Sequence, residues 1–372
     1  MYGPPKKILL SKVPEKEACA MARAFWEEME PLLQPNALPP SKAFMLEATR
    51  LSKTGHTHRF CEGFTKYGLA AAVSDTYVDI GLARQHPVLR IADFVECLRL
   101  EGKLDMLWLG NGEAARKDFW QKWQQLQPEH GVFATHANRL GSCLPVAVHC
   151  DEGTTLKKKA LMIVQWQPLL GRGTRKSQQK GTTEPGCNYV GHSFTNRFLW
   201  SCCLARFYSG KKLNNKPLTM LLHHLSNDLS AAFHQGFSLG AHGHLYLVPI
   251  AMKGDWPALI KCGGLTRHFG RVSQAKPGKG ICHLCMADQE NYRAWHDISY
   301  RNMSRMRAGN VPAPWKSVPS LASVVPMAES QRAGFFKVDL FHTLHKGVFA
   351  DICANVIALW PEGLLVRFLF KH

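Results

Sequence analysis

From residue 143 onward, apolar residues fall in short runs that predict strands, and these runs flank one long helical pattern. The runs are rich in Val, Ile, Leu and aromatic residues and end at polar or glycine-containing stretches. They are LPVAVHCD (144–151), KALMIVQW (159–166), FLWSCCLARFY (198–208) and HLYLVPIAMKGD (244–255). Pro249 lies inside the fourth run, and because proline cannot donate to a sheet ladder, it predicts a bulge or an edge strand there.

Two helices complete this part of the pattern. After Pro217, the stretch LTMLLHHLSNDLSAAF repeats leucine at helical spacing, and WPALIKCGG carries a proline in its first turn. Residues 1–140 instead predict a mostly helical region, with helices over 16–33, 89–100 and 114–126. The fold class expected is therefore α/β, with a mixed sheet formed by residues 141–270 after a helical N-terminal region.

The order strand, strand, strand, helix, strand, helix is that of a ribonuclease H-like sheet. In that arrangement a right-handed crossover brings the fourth strand beside the first and parallel to it. Asp151 ends the first predicted strand and Asp255 ends the fourth, so the two carboxylates are expected side by side. Buried carboxylates need a compensating cation. A Mg²⁺ pair about 3.5–4 Å apart would supply it and activate a nucleophile against a phosphodiester.

Each of these acids also has an ordinary structural interpretation. Asp151, Glu152 and Gly153 form a common exit from a strand into a turn. Asp255 precedes Trp256 and Pro257, which is typical of a helix N-cap. The catalytic interpretation depends on the two positions being neighbours in one sheet.

The chain is strongly basic, with 46 Lys and Arg against 28 Asp and Glu and a formal net charge of +18. A surplus of this size indicates a polyanionic partner, and we expect DNA contacted through its phosphate backbone. The alternative is a soluble protein that is merely basic. The side chains expected to bind nucleic acid are Lys157, Lys158, Lys159, Arg172, Arg175 and Lys176.

Twelve cysteines are scattered through the chain, and the N-terminus lacks the apolar core of a signal peptide. We therefore expect reduced thiols in an intracellular, nuclear protein that is not secreted. No apolar run reaches the length of a membrane span. Cys282 and Cys285 form a Cys-x2-Cys knuckle, which predicts half of a zinc site that His342 and His345 would complete. The alternative is two reduced cysteines and two hydrogen-bonded histidines.

The remaining segments divide the C-terminal part of the chain. Residues 271–307 form a small insertion that holds the knuckle, and 308–331 are proline-rich without a helical period, which predicts an extended linker or surface loop. Residues 332–372 predict a C-terminal helix that begins with the motif DLFH.

Four features in this order resemble the eukaryotic DDE/D transposases, particularly the CACTA (En/Spm) type, over about residues 143–360. They are Asp151 closing the first strand, GDWPAL around Asp255, the Cys282–Cys285 knuckle, and DLFH. In that family GD-[LW]-PAL carries the second catalytic acid, and an Asp-x2-His signature follows it. Asp339 and His342 match that signature. The resemblance implies a ribonuclease H-like nuclease core that cuts and joins DNA with two Mg²⁺ ions.

The chain departs from this family at the third acid, which lies on a helix well downstream of the signature. Glu362, in the turn WPEG, is the only acid after Asp351 and follows too closely to match. We therefore expect a truncated or degenerate transposase relative that binds nucleic acid with little or no strand-transfer activity. The alternatives are an active Mg²⁺-dependent DNA-cutting enzyme, a zinc-stabilised DNA-binding protein, and a fragment without a selected role.

Overall fold

The computed structural model describes residues 15–29, 40–56, 59, 62–67, 73–108, 112–154, 160–171, 197–210, 214–268, 278–307, 311–340, 344, 349–350 and 352–353. By its internal contacts the chain divides into two compact units. The first unit comprises Met1–Ser74 with Glu96–Lys103, and the second comprises Asp75–Val95 with Leu104–His372.

The first unit contains three helices: α1 (Glu15–Met29), α2 (Pro40–Thr54) and α3 (Glu62–Lys66). Small residues of α1, Ala18, Cys19 and Ala22, pack in one cluster with Phe44, Met45, Ala48 and Leu51 of α2. Because the α1 residues of this cluster are small, the two helices can approach closely along this seam.

The second unit is α/β. Its elements before the main sheet are β1 (Thr76–Val78), β2 (His86–Val88), α4 (Ile91–Leu100), α5 (Asp105–Trp108), α6 (Glu113–Leu126), α7 (Val132–Thr135) and a 3₁₀ helix over Ala137–Ser142. Helix α4 runs into the stretch that belongs to the first unit. Strands β1 and β2 form a separate antiparallel pair.

The elements that follow build the main sheet and the helices after it. They are β3 (Cys143–Thr154), β4 (Ala160–Pro168), β5 (Phe198–Leu204), α8 (Lys216–His234), β6 (Phe237–Ser238), β7 (His244–Gly254), α9 (Trp256–Gly263), α10 (Tyr300–Arg307) and α11 (Ser320–Ser323). Short 3₁₀ helices cover Ala205–Phe207, Gly240–His242 and Glu329–Phe335. The third predicted strand therefore ends at Leu204 instead of Tyr208, where the chain turns into the first of these 3₁₀ helices.

The main sheet is mixed and has the strand order β5-β4-β3-β7-β6. Strands β3, β4 and β5 are antiparallel neighbours, and β7 returns through α8 to pair with β3 in parallel. The register shifts between Val146 and Ala147, which pair with Pro249 and Ala251 and leave Ile250 as an extra residue on β7. This irregularity confirms the bulge predicted from Pro249, since the proline cannot donate to the ladder.

The interior of the sheet is apolar and closely packed. Trp120 of α6, Phe233 of α8, and Tyr246, Val248 and Ile250 of β7 belong to one buried cluster. Helix α8 buries the leucines that its spacing predicted, Leu218, Leu221, Leu222, Leu225 and Leu229. The central strands are therefore fixed in register by packing, and their ends are fixed with them.

The proline-rich stretch 308–331 includes buried apolar side chains. Within it, α11 buries Leu321 and Ala322, and Val325 and Met327 that follow are also buried. This part of the stretch packs against the fold and does not run as an extended connection. Most of the predicted C-terminal helix lies outside the described residues.

Candidate functional site

Asp151 does not end its strand as predicted: β3 continues through Glu152 and Gly153 to Thr154, paired with β4, so these residues do not form a strand-to-turn exit either. Asp255 directly follows the last residue of β7. The last pair in the parallel register is Cys150 with Gly254, and each aspartate directly follows one member of this pair in the chain. Both aspartates line one open cleft of ≈ 380 Å³. Its lining residues are His149, Asp151, Arg197, Lys253, Gly254, Asp255, Lys337, Val338, Asp339 and Leu340. Both acids therefore border the same cleft, and their joint catalytic role stays a prediction.

Gly254 permits the close approach of β3 and β7 at this point. A Cβ atom at this position would lie 2.2 Å from the carbonyl oxygen of Cys150, closer than any side chain tolerates. The glycine in the GDW stretch thus allows the two strand ends to approach, and Asp255 follows immediately.

Asp255 also caps α9. Its Oδ1 accepts a hydrogen bond from the backbone N–H of Ala258 at 2.8 Å, while its own backbone is extended. The ordinary interpretation of this residue as an N-cap is therefore correct as far as Oδ1 is concerned. The cap orients the carboxylate, and the same side chain borders the cleft.

Asp151 and Glu152 point to opposite faces of the sheet, because side chains alternate along β3. Asp151 is exposed and shares the cleft with His149. Glu152 forms an ion pair with Lys261 of α9 and accepts a hydrogen bond from the buried Tyr208 hydroxyl at 2.7 Å. Burial alone would raise the pKa of Glu152, but the hydrogen bonds from Lys261 and Tyr208 outweigh it and hold the pKa below its usual value. Glu152 is therefore a structural residue.

On the cleft side, His149 of β3 and Lys253 of β7 are cross-strand neighbours. Each lies two residues before an aspartate of the cleft, Asp151 or Asp255. Burial, with Arg197 adding to it, lowers the pKa of Lys253 to about 8. Burial lowers the pKa of His149 to about 4, to which Arg197 also contributes, while Asp151 acts in the opposite direction. The histidine is neutral at pH 7 and the lysine is mostly charged, so positive charge lies beside the two acids.

A second lysine, Lys337, reaches the cleft from a segment beside β7. Phe336 forms a parallel bridge with Met252, and the backbone N–H of Lys337 donates to the Met252 carbonyl at 2.9 Å. The Nζ of Lys337 donates to the Gly334 carbonyl at 2.6 Å, and burial lowers the pKa of its ammonium. Among the residues that the structure describes, neither Lys253 nor Lys337 forms an ion pair with a carboxylate.

The same segment carries Asp339 to the cleft, so the DLFH motif begins at the site. Its position is anchored from the knuckle: the ring Nε2 of buried His283 lies 2.7 Å from the Phe336 carbonyl oxygen. Sequence reasoning assigned Asp339 only to a motif and found no third acid. Asp339 is a third carboxylate of this cleft.

Cys282 and Cys285 form the predicted knuckle around His283, and Arg267 organises it. The buried Arg267 guanidinium donates to the carbonyls of Cys282 at 3.1 Å and Pro312 at 2.6 Å. A hydrogen bond from Cys285, helped by the backbone N–H of Leu284, lowers the pKa of Cys282 to about 6, whereas the pKa of Cys285 is raised. The knuckle therefore holds one thiol that ionises readily.

The knuckle supplies two zinc ligands and needs two more. The described residues contain no group of three or more His, Cys, Asp or Glu side chains placed to hold a metal. His342 and His345 lie outside the described residues. Zinc stays a prediction, tested by elemental analysis of the purified protein beside Cys282→Ser, in which a drop in bound zinc is expected. Equal zinc content in both proteins would remove the site.

A Mg²⁺ pair also requires converging oxygen ligands. Asp151, Asp255 and Asp339 border one cleft, but they do not form a three-ligand set in the described part of the chain. One oxygen of Asp255 is already used by α9, and cationic side chains occupy the same cleft. As placed, these residues do not fit a two-metal centre, and no catalytic step is derived through one.

Several predicted residues lie outside the described residues. They are Lys157, Lys158, Lys159, Arg172, Arg175, Lys176, His342, His345 and Glu362. Four side chains of the cleft were missed by sequence reasoning: His149, Arg197, Lys253 and Lys337. Two of them had a signal, because HCD and KGD both place a basic side chain two residues before the acid. On a strand, that spacing puts the two side chains on one face.

Comparisons with protein-family models, with curated proteins and with solved structures returned no match. Among the helices that the structure describes, none combines the length and apolar character needed to cross a bilayer.

Proposed function

We propose that this chain is a nucleic-acid-binding protein with a ribonuclease H-like core, related to the CACTA-type DDE/D transposases, with little or no DNA strand-transfer activity. The observation that supports the proposal is the parallel pairing of β3 with β7 beside a cleft that both Asp151 and Asp255 line. This is the arrangement that the resemblance implies for the first two acids.

The charge supports nucleic acid as the partner. The net charge is +18 over 372 residues, and the cleft beside the acids is lined by Arg197, Lys253 and Lys337. Basic side chains around a cleft attract phosphate and release counterions when they bind it. DNA is the expected partner, contacted mainly through its backbone.

The ligand geometry supports low catalytic activity. Asp255 spends one carboxylate oxygen on the α9 cap, and the three cleft acids do not converge as metal ligands among the described residues. Phosphodiester cleavage of this class depends on metal ions held by such acids. We therefore assign binding, and not strand transfer, as the main activity.

Two assays on the full chain test the proposal. Fluorescence anisotropy with labelled DNA is expected to give binding that weakens steeply as salt rises. Absence of binding, or affinity that ignores ionic strength, would overturn the assignment of a nucleic-acid partner.

Nicking of supercoiled plasmid with Mg²⁺ or Mn²⁺ tests the catalytic part. We expect little cleavage, and the same low level in wild type, Asp151→Asn and Asp255→Asn. Substantial cleavage that both substitutions abolish would instead identify an active DDE/D nuclease.

A further inference from the structure

Helix α10 (Tyr300–Arg307), in the insertion that holds the knuckle, has one buried side and one exposed side. Met306 faces the interior and is buried. The opposite side carries an aromatic ring, a hydroxyl and two guanidinium groups, and its tyrosine is 88% exposed. Residues four apart in a helix are neighbours on its surface, so these side chains form one continuous patch. Its residues, which we call the α10 face, are Tyr300, Arg301, Ser304 and Arg305.

The helix that carries this face is held at both ends. At its start, the carboxylate of Asp297 accepts hydrogen bonds from the backbone N–H of Ser299 at 2.9 Å and from its hydroxyl at 3.1 Å. The side-chain amide of Asn302 donates to the Asp297 carbonyl at 2.8 Å. Near its end, the backbone N–H of Met286, which follows the knuckle, donates to the Met306 carbonyl at 3.0 Å. The α10 face therefore has a fixed orientation on the fold.

The α10 face is positively charged. Helix α10 contains three arginines and no acid, and none of the three forms an ion pair with a carboxylate in the part of the chain that the structure describes. Arg305 is oriented from below, because its guanidinium lies 5.2 Å from the centre of the Tyr292 ring and donates to the Asn291 carbonyl at 3.0 Å. The acid that comes just before the helix, Asp297, uses both carboxylate oxygens on Ser299. Guanidinium groups without a carboxylate partner fit an anionic ligand.

The exposed ring of Tyr300 distinguishes between anionic ligands. A single nucleic-acid strand is bound where bases stack on aromatic side chains while basic side chains follow the backbone. The bases of a duplex are already stacked on one another and do not reach such a ring. An acidic peptide would pair with the arginines but would have no planar group to stack on Tyr300. The combination of ring and guanidinium groups therefore favours an unpaired strand.

We propose that the α10 face binds a single nucleic-acid strand, with one base stacked on Tyr300 and a backbone phosphate held by Arg301. Arg305 lies one turn further along the same surface and supplies a second positive charge. The inference rests on the proposed function and adds a strand-binding surface outside the cleft, in the insertion that holds the knuckle.

Base stacking is tested with two labelled single-stranded oligonucleotides of equal length and charge, one with thymine bases and one made of abasic sites. Binding to the full chain is measured by fluorescence anisotropy. Tyr300→Leu keeps an apolar side chain but removes the ring, and it is expected to weaken binding of the thymine strand about tenfold, as the loss of one stacked base does. Tyr300→Phe keeps the ring and is expected to bind like wild type. On the abasic strand, all three proteins are expected to bind equally.

The phosphate contact is tested through the salt dependence of thymine-strand binding. Arg301→Gln is expected to lower the magnitude of the slope of log K against log salt by about 0.7, the value for one phosphate of a single strand. Arg84→Gln is the matched control, because Arg84 is also exposed, and it is expected to leave the slope unchanged. Polyglutamate is added as a competitor and is expected to displace the strand only at a much higher concentration of charge.

The outcomes separate this inference from the function on which it rests. If the thymine strand binds but Tyr300→Leu leaves its affinity unchanged, or weakens both strands equally, the inference fails while nucleic-acid binding stands. A loss in Tyr300→Phe as large as that in Tyr300→Leu would also exclude stacking. Displacement by polyglutamate at equal charge concentration would assign the surface to an acidic peptide instead. If neither strand binds, the proposed function fails as well.

Discussion

The two faces of the sheet differ in how charged side chains are paired near the point where the pairing of β3 with β7 ends. On one face, Glu152, Lys261 and Tyr208 satisfy one another, and the Cys150 thiol contacts Cys262 so that its pKa rises well above the usual value. On the other face, Lys253 and Lys337 are partly buried without a carboxylate partner among the described residues. The first face is paired within the protein, whereas on the second face these two lysines have no carboxylate partner among the described residues.

This difference separates structural from functional charge. The partly buried Glu152–Lys261 pair, with its hydrogen bond from Tyr208, is part of the fold, and removing one partner leaves the other charge uncompensated. A buried cation without a partner lowers stability and is retained where it serves binding. Adjacent residues of one strand, Asp151 and Glu152, therefore belong to different categories although their chemistry is the same.

The largest effect on stability is expected on the face where Glu152 pairs with Lys261. Glu152→Gln leaves Lys261 without its carboxylate, and we expect a loss of roughly 2–3 kcal/mol in the free energy of unfolding. Urea denaturation at pH 7 measures it. The double variant Glu152→Gln with Lys261→Met removes both charges and is expected to recover most of the loss; a double variant as unstable as the single one would contradict the pair.

The same pair predicts a pH dependence. Because the pKa of Glu152 is lower in the folded protein than its ordinary value of 4.5, the stabilisation is fully present above that pH. It is lost as the pH falls through the folded-state pKa. Between pH 3 and pH 7, the free energy of unfolding is expected to fall more steeply with decreasing pH in wild type than in Glu152→Gln. An equal pH dependence in the two proteins would contradict this.

The strand junction between the two faces gives the next effect. In Gly254→Ala the new Cβ meets the Cys150 carbonyl, so β7 must shift away from β3, at a cost of about 2 kcal/mol. Gly153→Ala is the matched control, because nothing lies within 4 Å of a Cβ at that position. Thermal unfolding of both variants checks the difference, and equal melting temperatures would argue against the close approach of the two strands.

Two substitutions at Asp255 distinguish the contribution of its helix cap from the contribution of its charge. Asp255→Ala removes the acceptor for the Ala258 amide and is expected to cost about 1 kcal/mol, while Asp255→Asn keeps an acceptor and most of the stability. Denaturant titration of the two variants measures the cap. If Asn is as destabilising as Ala, the negative charge and not the cap hydrogen bond stabilises this position.

On the cleft side of the sheet, we expect one substitution to increase stability. Lys253→Met removes a partly buried, unpaired charge and is expected to raise the free energy of unfolding by about 1 kcal/mol at pH 7. The pKa of Lys253 is 10.5 in the unfolded chain and about 8 in the folded protein. The wild-type protein therefore becomes more stable as the pH rises from 8 to 10.5, and the stability advantage of Lys253→Met shrinks over the same range. Exposed Lys316→Met is expected to change stability little. A loss of stability in Lys253→Met would contradict the account of this face.

Sequence periodicity predicted the four long strands, the crossover helix and the parallel pairing of the first strand with the fourth, because each depends on local pattern and one handedness rule. Periodicity could not predict that Lys337 and Asp339 line the cleft. These residues enter the cleft through a single bridge between Phe336 and Met252 and a contact from His283, and no sequence pattern reports such a pairing. The roles of Asp151 and Glu152 separate only once the partners on each face are known.

The most direct test of the central claim is the salt dependence of single-stranded DNA binding in wild type, Lys253→Met and Lys316→Met. The logarithm of the binding constant is plotted against the logarithm of the salt concentration, and its slope counts the phosphate contacts. The account predicts that Lys253→Met lowers the magnitude of the slope by about 1 while Lys316→Met leaves it unchanged. Identical slopes in all three proteins would show that Lys253 does not contact a phosphate of the bound DNA.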